Sequence, residues 1–154
     1  MSTIYHGSCI CGAIQFNLTG PPIRNIICHC SDCQKSGGSA FQTSSAYAPS
    51  QVQLIDPDNQ LKTYIVPAES VGSGFEKHKH FCGRCGCPIY NVPMKEEGKQ
   101  WIIKTGLIET SEGGSALHAL KELQPQAEVY TRSRAGYLTA INNVNQFETG
   151  FQPL

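Results

Sequence analysis

Three cysteines lie within six residues of the chain, in the segment Cys28-His29-Cys30-Ser31-Asp32-Cys33. Two more clusters flank this segment, and together the three clusters use all eight cysteines of the protein; they are Cys9-Ile10-Cys11 and Cys82-Gly83-Arg84-Cys85-Gly86-Cys87. Thiolates are soft, negatively charged ligands, and Zn²⁺ prefers four ligands in a tetrahedron. The clustering therefore predicts two zinc ions, and we expect the ion at the central cluster to be the one that does chemistry.

The spacing within the clusters supports metal binding. Cys30 and Cys33 have the C-x-x-C spacing of a metal-binding knuckle, and so do Cys82 and Cys85. One such pair is a weak signal, whereas two pairs that each have a C-x-C partner are a strong one. The glycines at positions 83 and 86 suit the sharp turn that the backbone must make beneath a metal ion.

A disulfide framework is the alternative use of eight cysteines. The segment from Met1 to Gly12 has no basic stretch followed by an apolar run, so no secretory signal is visible. A chain of 154 residues can bury an adequate core without covalent crosslinks. Because thiols stay reduced or bind metal in the cytosol, we expect a cytoplasmic protein with zinc rather than disulfides.

The composition narrows the class of protein further. The length of 154 residues predicts one domain over 1–154, with a polar tail at about 141–154. Twelve basic and twelve acidic side chains cancel, so a nucleic-acid partner is not expected. No apolar run approaches the roughly 18 residues that cross a bilayer, and we expect no membrane partner. Short apolar stretches among 15 glycines and 9 prolines predict a mainly β domain. The oligomeric state stays open.

The elements around the central cluster follow from local patterns. Residues 24–28 are predicted to form a strand. Ser31 is expected to cap a short helical turn that ends at Gly37-Gly38. The central cluster would then lie where a strand meets a helix N-terminus, which favours thiolates. Lys77 and Lys79 are interpreted as a solvated strand face.

Further along the chain, residues 88–92 and 101–105 are predicted to pair as antiparallel strands. The strongest helix pattern runs from Ser115 to Leu123, where Ala116, Leu117, Leu120 and Leu123 recur at helical spacing and predict a core-facing stripe.

The residues alone leave the division of ligands open. Eight cysteines can make two closed four-cysteine sites, or one closed site and one three-cysteine site with an open position. Cys87 is the uncertain eighth: a buried small side chain, a fourth ligand, or a spare thiol. His29 lies between two proposed ligands on an extended segment, so its side chain should point away from the metal.

Three segments resemble the motifs of a known family, the glutathione-dependent formaldehyde-activating enzymes, which are grouped with centromere protein V. They are His6-Gly7-Ser8-Cys9-Ile10-Cys11-Gly12-Ala13-Ile14, Cys28-His29-Cys30-Ser31-Asp32-Cys33-Gln34-Lys35 with the following Gly37 and Phe41, and Phe81-Cys82-Gly83-Arg84-Cys85-Gly86-Cys87-Pro88-Ile89-Tyr90. Segments at 105–108 and 133–137 resemble the family as well, so the similarity spans nearly the whole chain.

The resemblance implies a small, mainly β zinc-binding domain of the β-tent type, with one or two short helices. It implies a structural zinc on Cys9, Cys11, Cys82 and Cys85, and a catalytic zinc on Cys28, Cys30 and Cys33. The implied activity is that of a carbon–sulfur lyase. It joins a thiol such as glutathione, the co-substrate, to formaldehyde or a related aldehyde, giving S-hydroxymethylglutathione.

A function of a different class is also compatible with the sequence. Two closed four-cysteine sites, with Cys87 completing the second, would make the chain a zinc-stabilised binding module without catalysis. The two functions differ in whether the metal at Cys28, Cys30 and Cys33 has a ligand that the protein does not supply.

Overall fold

The computed structural model describes residues 4–109 and 119–151. Strands dominate these residues, and one short α-helix, α1 (Ser31–Gly37), interrupts them. The mainly β fold predicted from the sequence is therefore confirmed. The strands are β1 (Ile4–Ser8), β2 (Gln15–Thr19), β3 (Arg24–Cys28), β4 (Gln42–Tyr47), β5 (Val52–Ile55), β6 (Leu61–Val66), β7 (Lys77–Cys82), β8 (Pro88–Pro93), β9 (Trp101–Lys104), β10 (Ala127–Val129) and β11 (Asn145–Gln146).

The strands form two sheets. The smaller sheet has the order β1-β2-β5, and the larger has the order β11-β10-β3-β4-β9-β8-β7-β6. The predicted antiparallel pairing of β8 with β9 is confirmed, with Tyr90 opposite Ile103. The late strand β10 lies parallel to both β3 and β11, an arrangement that the sequence pattern did not indicate.

Alternating apolar side chains explain how the sheets bury their core. In β2, Phe16 and Leu18 are buried while the ends of the strand are exposed, because successive side chains point to opposite faces. The same cluster of apolar side chains contains Tyr47 from β4, Ile89 from β8 and Ile103 from β9. The core thus joins the small sheet to the large one.

Helix α1 begins directly after the second cysteine of the central cluster. The expectation that Ser31 caps this helix is wrong: Cys30 is the N-cap, and its Sγ accepts a hydrogen bond of 3.4 Å from the Cys33 amide. Cys30 has the extended backbone that a cap requires, whereas Ser31 is already helical. The helix ends as predicted, at Gly38 in the left-handed conformation with φ 59°.

The predicted helix over Ser115 to Leu123 lies partly outside the described residues, since 110–118 are not described. Its end forms a 3₁₀ turn at Ala119–Lys121. Ala119 and Leu123 are buried there, but Leu120 is 43 % exposed, so the stripe that placed Leu120 in the core is wrong. The tighter 3₁₀ turn changes which side chains share a face.

The chain after β10 folds back against the edge of the large sheet. The Tyr130 amide donates to the Thr149 carbonyl at 3.0 Å, and the Thr131 amide donates to the Phe147 carbonyl at 3.0 Å. Within the described ranges, the chain has no helix of the length and apolar character that a membrane span requires.

Gly7 in β1 lies directly against Phe16 of the neighbouring strand β2. A Cβ atom at this position would lie 2.2 Å from the ring of buried Phe16 and 2.7 Å from the Leu107 carbonyl oxygen. We predict that Gly7→Ala lowers the free energy of unfolding by about 2 kcal/mol or more, because neither neighbour can move away. Urea denaturation measures the change.

Gly106→Ala is the matched control, since its Cβ would meet nothing within 4 Å. Equal stability of the two variants would contradict the close packing of β1 against Phe16.

Candidate metal centres and active site

The first cysteine cluster joins the start of the chain to its middle. The Sγ atoms of Cys9, Cys11, Cys82 and Cys85 all lie within 4.8 Å of one another. The Cys9 and Cys11 sulfurs are 3.6 Å apart, and the Cys11 and Cys82 sulfurs are 3.8 Å apart. Four sulfurs at the usual Zn–S bond length stand about 3.8 Å apart in a tetrahedron, so these residues fit a zinc ion.

Two glycine turns hold this cluster. The Gly12 amide donates to the Cys9 carbonyl at 3.0 Å, and the Gly86 amide donates to the Cys82 carbonyl at 2.8 Å. Both glycines have positive φ, 74° and 73°, which a side chain would strain. The cluster lies between β1 of the small sheet and β7 of the large sheet, so an ion there would fasten the sheets together.

The second cluster lies where the sequence placed it, at the junction of strand and helix. Cys28 ends β3, Cys30 caps α1 and Cys33 lies in its first turn. Their three sulfurs lie within 4.8 Å of one another, and no further cysteine, histidine or carboxylate among the described residues joins them. An ion bound here would therefore have three protein ligands and a fourth position free for another molecule.

Cys87 does not complete the second cluster. Its thiol is buried and lies beside the first cluster, where burial and the charges of Cys85, Cys9 and Cys82 raise its pKa. Its sulfur is 3.8 Å from the Pro88 carbonyl oxygen. The two closed sites of the binding-module hypothesis would need a fourth ligand that Cys87 does not provide in this structure. All eight cysteines are free thiols.

The thiols of the second cluster share their charge unequally. Contacts with Cys28 and Cys33, together with the Cys33 amide and the positive Lys77, lower the pKa of Cys30 to about 2 against the effect of burial. Contacts with Cys30 and Cys33, together with burial, raise the pKa of Cys28. A stable thiolate at Cys30 is the protonation state that a metal ligand needs.

Positive side chains surround the second cluster. Lys77 Nζ donates to Asp32 Oδ2 at 2.7 Å, and Lys79 Nζ donates to Asp32 Oδ1. Both lysine side chains are only 16 % exposed, so the interpretation of Lys77 and Lys79 as a solvated strand face is wrong. The strand β7 carries them to Asp32 in α1, next to the cysteines.

Lys104 is the most deeply buried cation near the cluster. It is 5 % exposed, and its Nζ donates to Gln42 Oε1 at 2.7 Å. Burial lowers the pKa of Lys104 to about 8, although the charges of Cys33 and Cys28 act in the opposite direction. A buried cation without an ion-paired carboxylate is costly, and the nearby thiolates offset part of that cost.

His29 anchors the segment that carries Cys28 and Cys30. Its Nε2 lies 2.8 Å from Glu128 Oε1, and both side chains are 2 % exposed. The side chain points away from the sulfurs, as predicted, and its amide donates to the Val129 carbonyl at 3.0 Å. The parallel pairing of β3 with β10 brings Glu128 to this position.

The buried carboxylate of Glu128 interacts with four partners. Burial alone would raise the pKa of its carboxyl, but the Ile141 amide, Gln146, His29 and Arg134 lower it to about 2. The amide of Ile141 and the side-chain amide of Gln146 donate to Oε2 at 2.8 and 2.7 Å. A carboxylate satisfied in this way holds the ligand-bearing segment against the tail.

A cavity of about 370 Å³ opens beside the second cluster. Cys28 and Cys33 lie in its wall together with Lys77 and Tyr130. A smaller cavity of about 170 Å³ adjoins it and is lined by Cys30, Cys28, Lys77 and Tyr130 as well. The cysteine cluster thus lies between two cavities that share a lysine and a tyrosine, with room for a small organic molecule.

The other cations that the motif segments and the tail supply do not face the cavity. Arg84 pairs with Asp58 at 3.1 Å on the surface, and Lys35 is exposed. Arg134 lies 3.4 Å from Glu128.

Sequence reasoning missed the roles of Asp32, Lys104 and Glu128, because the partners of each come from distant parts of the chain. The sequence did hold a signal that Lys77 and Lys79 could bind one common partner, since residues two apart on a strand share a face.

The fold and the two thiol clusters define a mainly β protein that can hold two metal ions through cysteine. The profile of the family described as "Glutathione-dependent formaldehyde-activating enzyme" matches residues 4–133. The chain belongs to this family, as its motifs predicted.

The chain is also similar to a Rhodobacter sphaeroides protein of known crystal structure. The two are 18 % identical, with a TM-score of 0.52, and the match covers 71 % of this chain and 90 % of that one. This similarity shows the fold alone. No curated protein matches the chain.

Metal content distinguishes the role of Cys87 from that of the other cysteines. We predict about two zinc ions per chain for the wild type and for Cys87→Ala, measured by elemental analysis of reduced protein. Cys82→Ser should bind about one ion and lose much of its thermal stability, because structural zinc sites typically contribute on the order of 10 kcal/mol. Loss of zinc in Cys87→Ala would contradict the ligand sets that the geometry indicates.

Proposed function

We propose that the protein is a zinc-dependent carbon–sulfur lyase that adds a thiol such as glutathione to formaldehyde or a related aldehyde. In this proposal Cys28, Cys30 and Cys33 hold a catalytic zinc, whereas Cys9, Cys11, Cys82 and Cys85 hold a structural zinc. The chain acts as one domain over 1–154, in the cytoplasm, where glutathione keeps thiols reduced.

One observation carries the proposal: a cluster of three sulfurs has no fourth ligand among the described residues, and two of its members, Cys28 and Cys33, line a cavity of about 370 Å³. The donor set fits zinc, because thiolates select soft or borderline metals. When bound, such an ion lowers the pKa of a thiol at its open position and keeps the sulfur nucleophilic. Family membership supports the same reaction.

The reaction needs a proton donor as well as an activated thiol. The thiol loses a proton, a sulfur–carbon bond forms, and the carbonyl π electrons move to oxygen. That oxygen then takes up a proton to give the hydroxymethyl thioether. No oxidant or reductant enters, so the site has only to hold two small molecules and move a proton.

Lys77 is the best placed donor in the cavity. It lines both cavities beside Cys28, and Asp32 holds its ammonium group at 2.7 Å. Burial would lower the pKa of Lys77, but Asp32 and the charges of Cys33 and Cys30 raise it above its ordinary value. Lys77 therefore stays protonated at neutral pH and can stabilise the developing oxyanion.

Part of the cavity wall is apolar. Ile26, Val71 and Val129 line the larger cavity together with the cysteines. An apolar wall strengthens the attraction between the Lys77 ammonium and negative charge on oxygen.

The division of roles predicts a clear difference between two serine variants. Cys30→Ser should abolish the glutathione-dependent loss of formaldehyde while its melting temperature stays close to that of the wild type. Cys82→Ser should lower the melting temperature strongly, because the first cluster joins the two sheets. Rates are measured against the uncatalysed reaction in the same buffer. If Cys30→Ser unfolds as thoroughly as Cys82→Ser, the two clusters do not have these roles.

The proton-donor role predicts that Lys77→Met lowers kcat about 100-fold, the usual contribution of general acid catalysis. Zinc content should stay at the wild-type value, since Lys77 is not a ligand. Lys35→Met is the matched control, because Lys35 is exposed at the end of α1. Wild-type kcat in Lys77→Met would contradict the assignment.

A further inference from the structure

One face of strand β3 presents both a guanidinium group and a thiol to the larger cavity. Arg24, Ile26 and Cys28 occupy alternate positions of the strand, and all three line the larger cavity. Alternate residues of a strand share a face. Cys28 is four positions after Arg24, so their Cα atoms are about 13 Å apart along the strand. The cavity therefore connects a guanidinium group at one end with the sulfur cluster at the other.

The guanidinium of Arg24 is held in place from two sides. Its Cζ lies 4.5 Å from the centroid of the Phe151 ring, and Nη2 donates to Gln100 Oε1 at 2.7 Å. No carboxylate in the described part of the chain forms an ion pair with it. A planar cation that is oriented and partly desolvated, with donors to spare, is suited to bind a carboxylate in bidentate fashion.

A negative side chain stands near this cation. Glu96 lines the same cavity as Arg24, and its charge acts on the guanidinium without an ion pair between them. An α-amino acid carries a carboxylate and an ammonium group on one carbon. The neighbouring cation and anion of the wall are complementary to such a zwitterion.

The spacing of Arg24 and Cys28 along β3 fits one arm of glutathione. Eight bonds separate the thiol sulfur from the α-carboxylate carbon of the γ-glutamyl group, a reach of about 10 Å when extended. The long Arg24 side chain can make up the difference between this reach and the Cα separation of about 13 Å. A thiol whose sulfur lies at the cysteine cluster could thus place its γ-glutamyl end at Arg24.

We propose that Arg24 binds the α-carboxylate of a γ-glutamyl thiol, with Glu96 facing the α-ammonium, and that this end of the cavity selects the thiol substrate. This inference rests on the proposed function, because it assumes that the thiol sulfur lies at Cys28, Cys30 and Cys33. In this arrangement the Arg24 end of the cavity recognises the charged groups of the substrate, and the reaction takes place at the cysteine end.

The proposal gives the tail a function. Phe151, which stacks on Arg24, lies beyond residues 4–133 that match the family profile. The Phe147 and Phe151 rings are 5.2 Å apart, and the Phe147 amide donates to the Glu128 carbonyl at 2.9 Å. Selection of the thiol thus involves a part of the chain outside the family match.

Binding of S-methylglutathione tests the proposal independently of turnover. This compound keeps both carboxylates and the ammonium group, and it lacks a thiol that could react. Isothermal titration calorimetry on the zinc-loaded protein should show a Kd at least tenfold higher for Arg24→Gln than for the wild type. Arg24→Lys should lie between them, because an ammonium keeps the charge but loses the planar fork. Lys35→Gln, on the exposed surface, should bind as the wild type does.

Phe151→Leu provides a second test that leaves strand β3 unchanged. It removes the ring beneath the guanidinium and should raise the Kd several-fold, with a melting temperature near that of the wild type. Failure of the wild type to bind S-methylglutathione would overturn the proposal. So would Arg24→Gln and Phe151→Leu proteins that bind within twofold of the wild type.

Turnover of three thiols separates this inference from the proposed function. The wild type should prefer glutathione and γ-glutamylcysteine over cysteinylglycine by at least tenfold in kcat/KM, and Arg24→Gln should lose most of this preference. Equal turnover of all three would overturn the role of Arg24 and leave the reaction standing. Binding of S-methylglutathione with no turnover of any thiol would overturn the reaction and leave the Arg24 site standing.

Discussion

The fold depends on sulfur atoms from distant segments being held within a few ångströms of one another. Cys9 and Cys11 follow the first strand, Cys82 ends the seventh strand and Cys85 follows it, and the four sulfurs lie within 4.8 Å of one another. Four thiols at this distance cannot all ionise without a cation between them, because like charges raise one another's pKa. A metal ion bound by these thiolates would remove that repulsion and would join the two sheets, whose shared core contains Phe16 of β2 and Ile89 of β8.

The second cluster also gathers thiols closely, but it faces a cavity. Three cysteines on a strand end and a helix start present sulfur to a cavity, and Lys77 and Lys104 contribute positive charge around them. The buried pair of His29 and Glu128 holds the ligand-bearing segment from behind. Rigidity behind the sulfurs and open space in front of them are the features that distinguish a reactive site from a structural one.

The sequence predicted what is local. The knuckle spacing identified both clusters, and local sequence patterns placed strands β3 and β8 correctly. Contacts between distant segments could not be predicted: the parallel pairing of β10 with β3 brings Glu128 to His29, and Lys77 of β7 meets Asp32 of α1, 45 residues earlier in the chain. Ser31 looked like a cap by residue type, but the Cys30 sulfur takes that place because the backbone becomes helical one residue earlier than the cap rule suggested.

In the proposed function, the metal ion at Cys28, Cys30 and Cys33 keeps a position for a thiol that the protein does not supply. Zinc-edge X-ray absorption spectroscopy measures the average number of sulfur ligands directly. One closed and one open site predict about 3.5 sulfurs per zinc in the isolated protein, rising to about 4 when glutathione is added. A count of 4 before glutathione, or a count that glutathione does not change, would contradict the account.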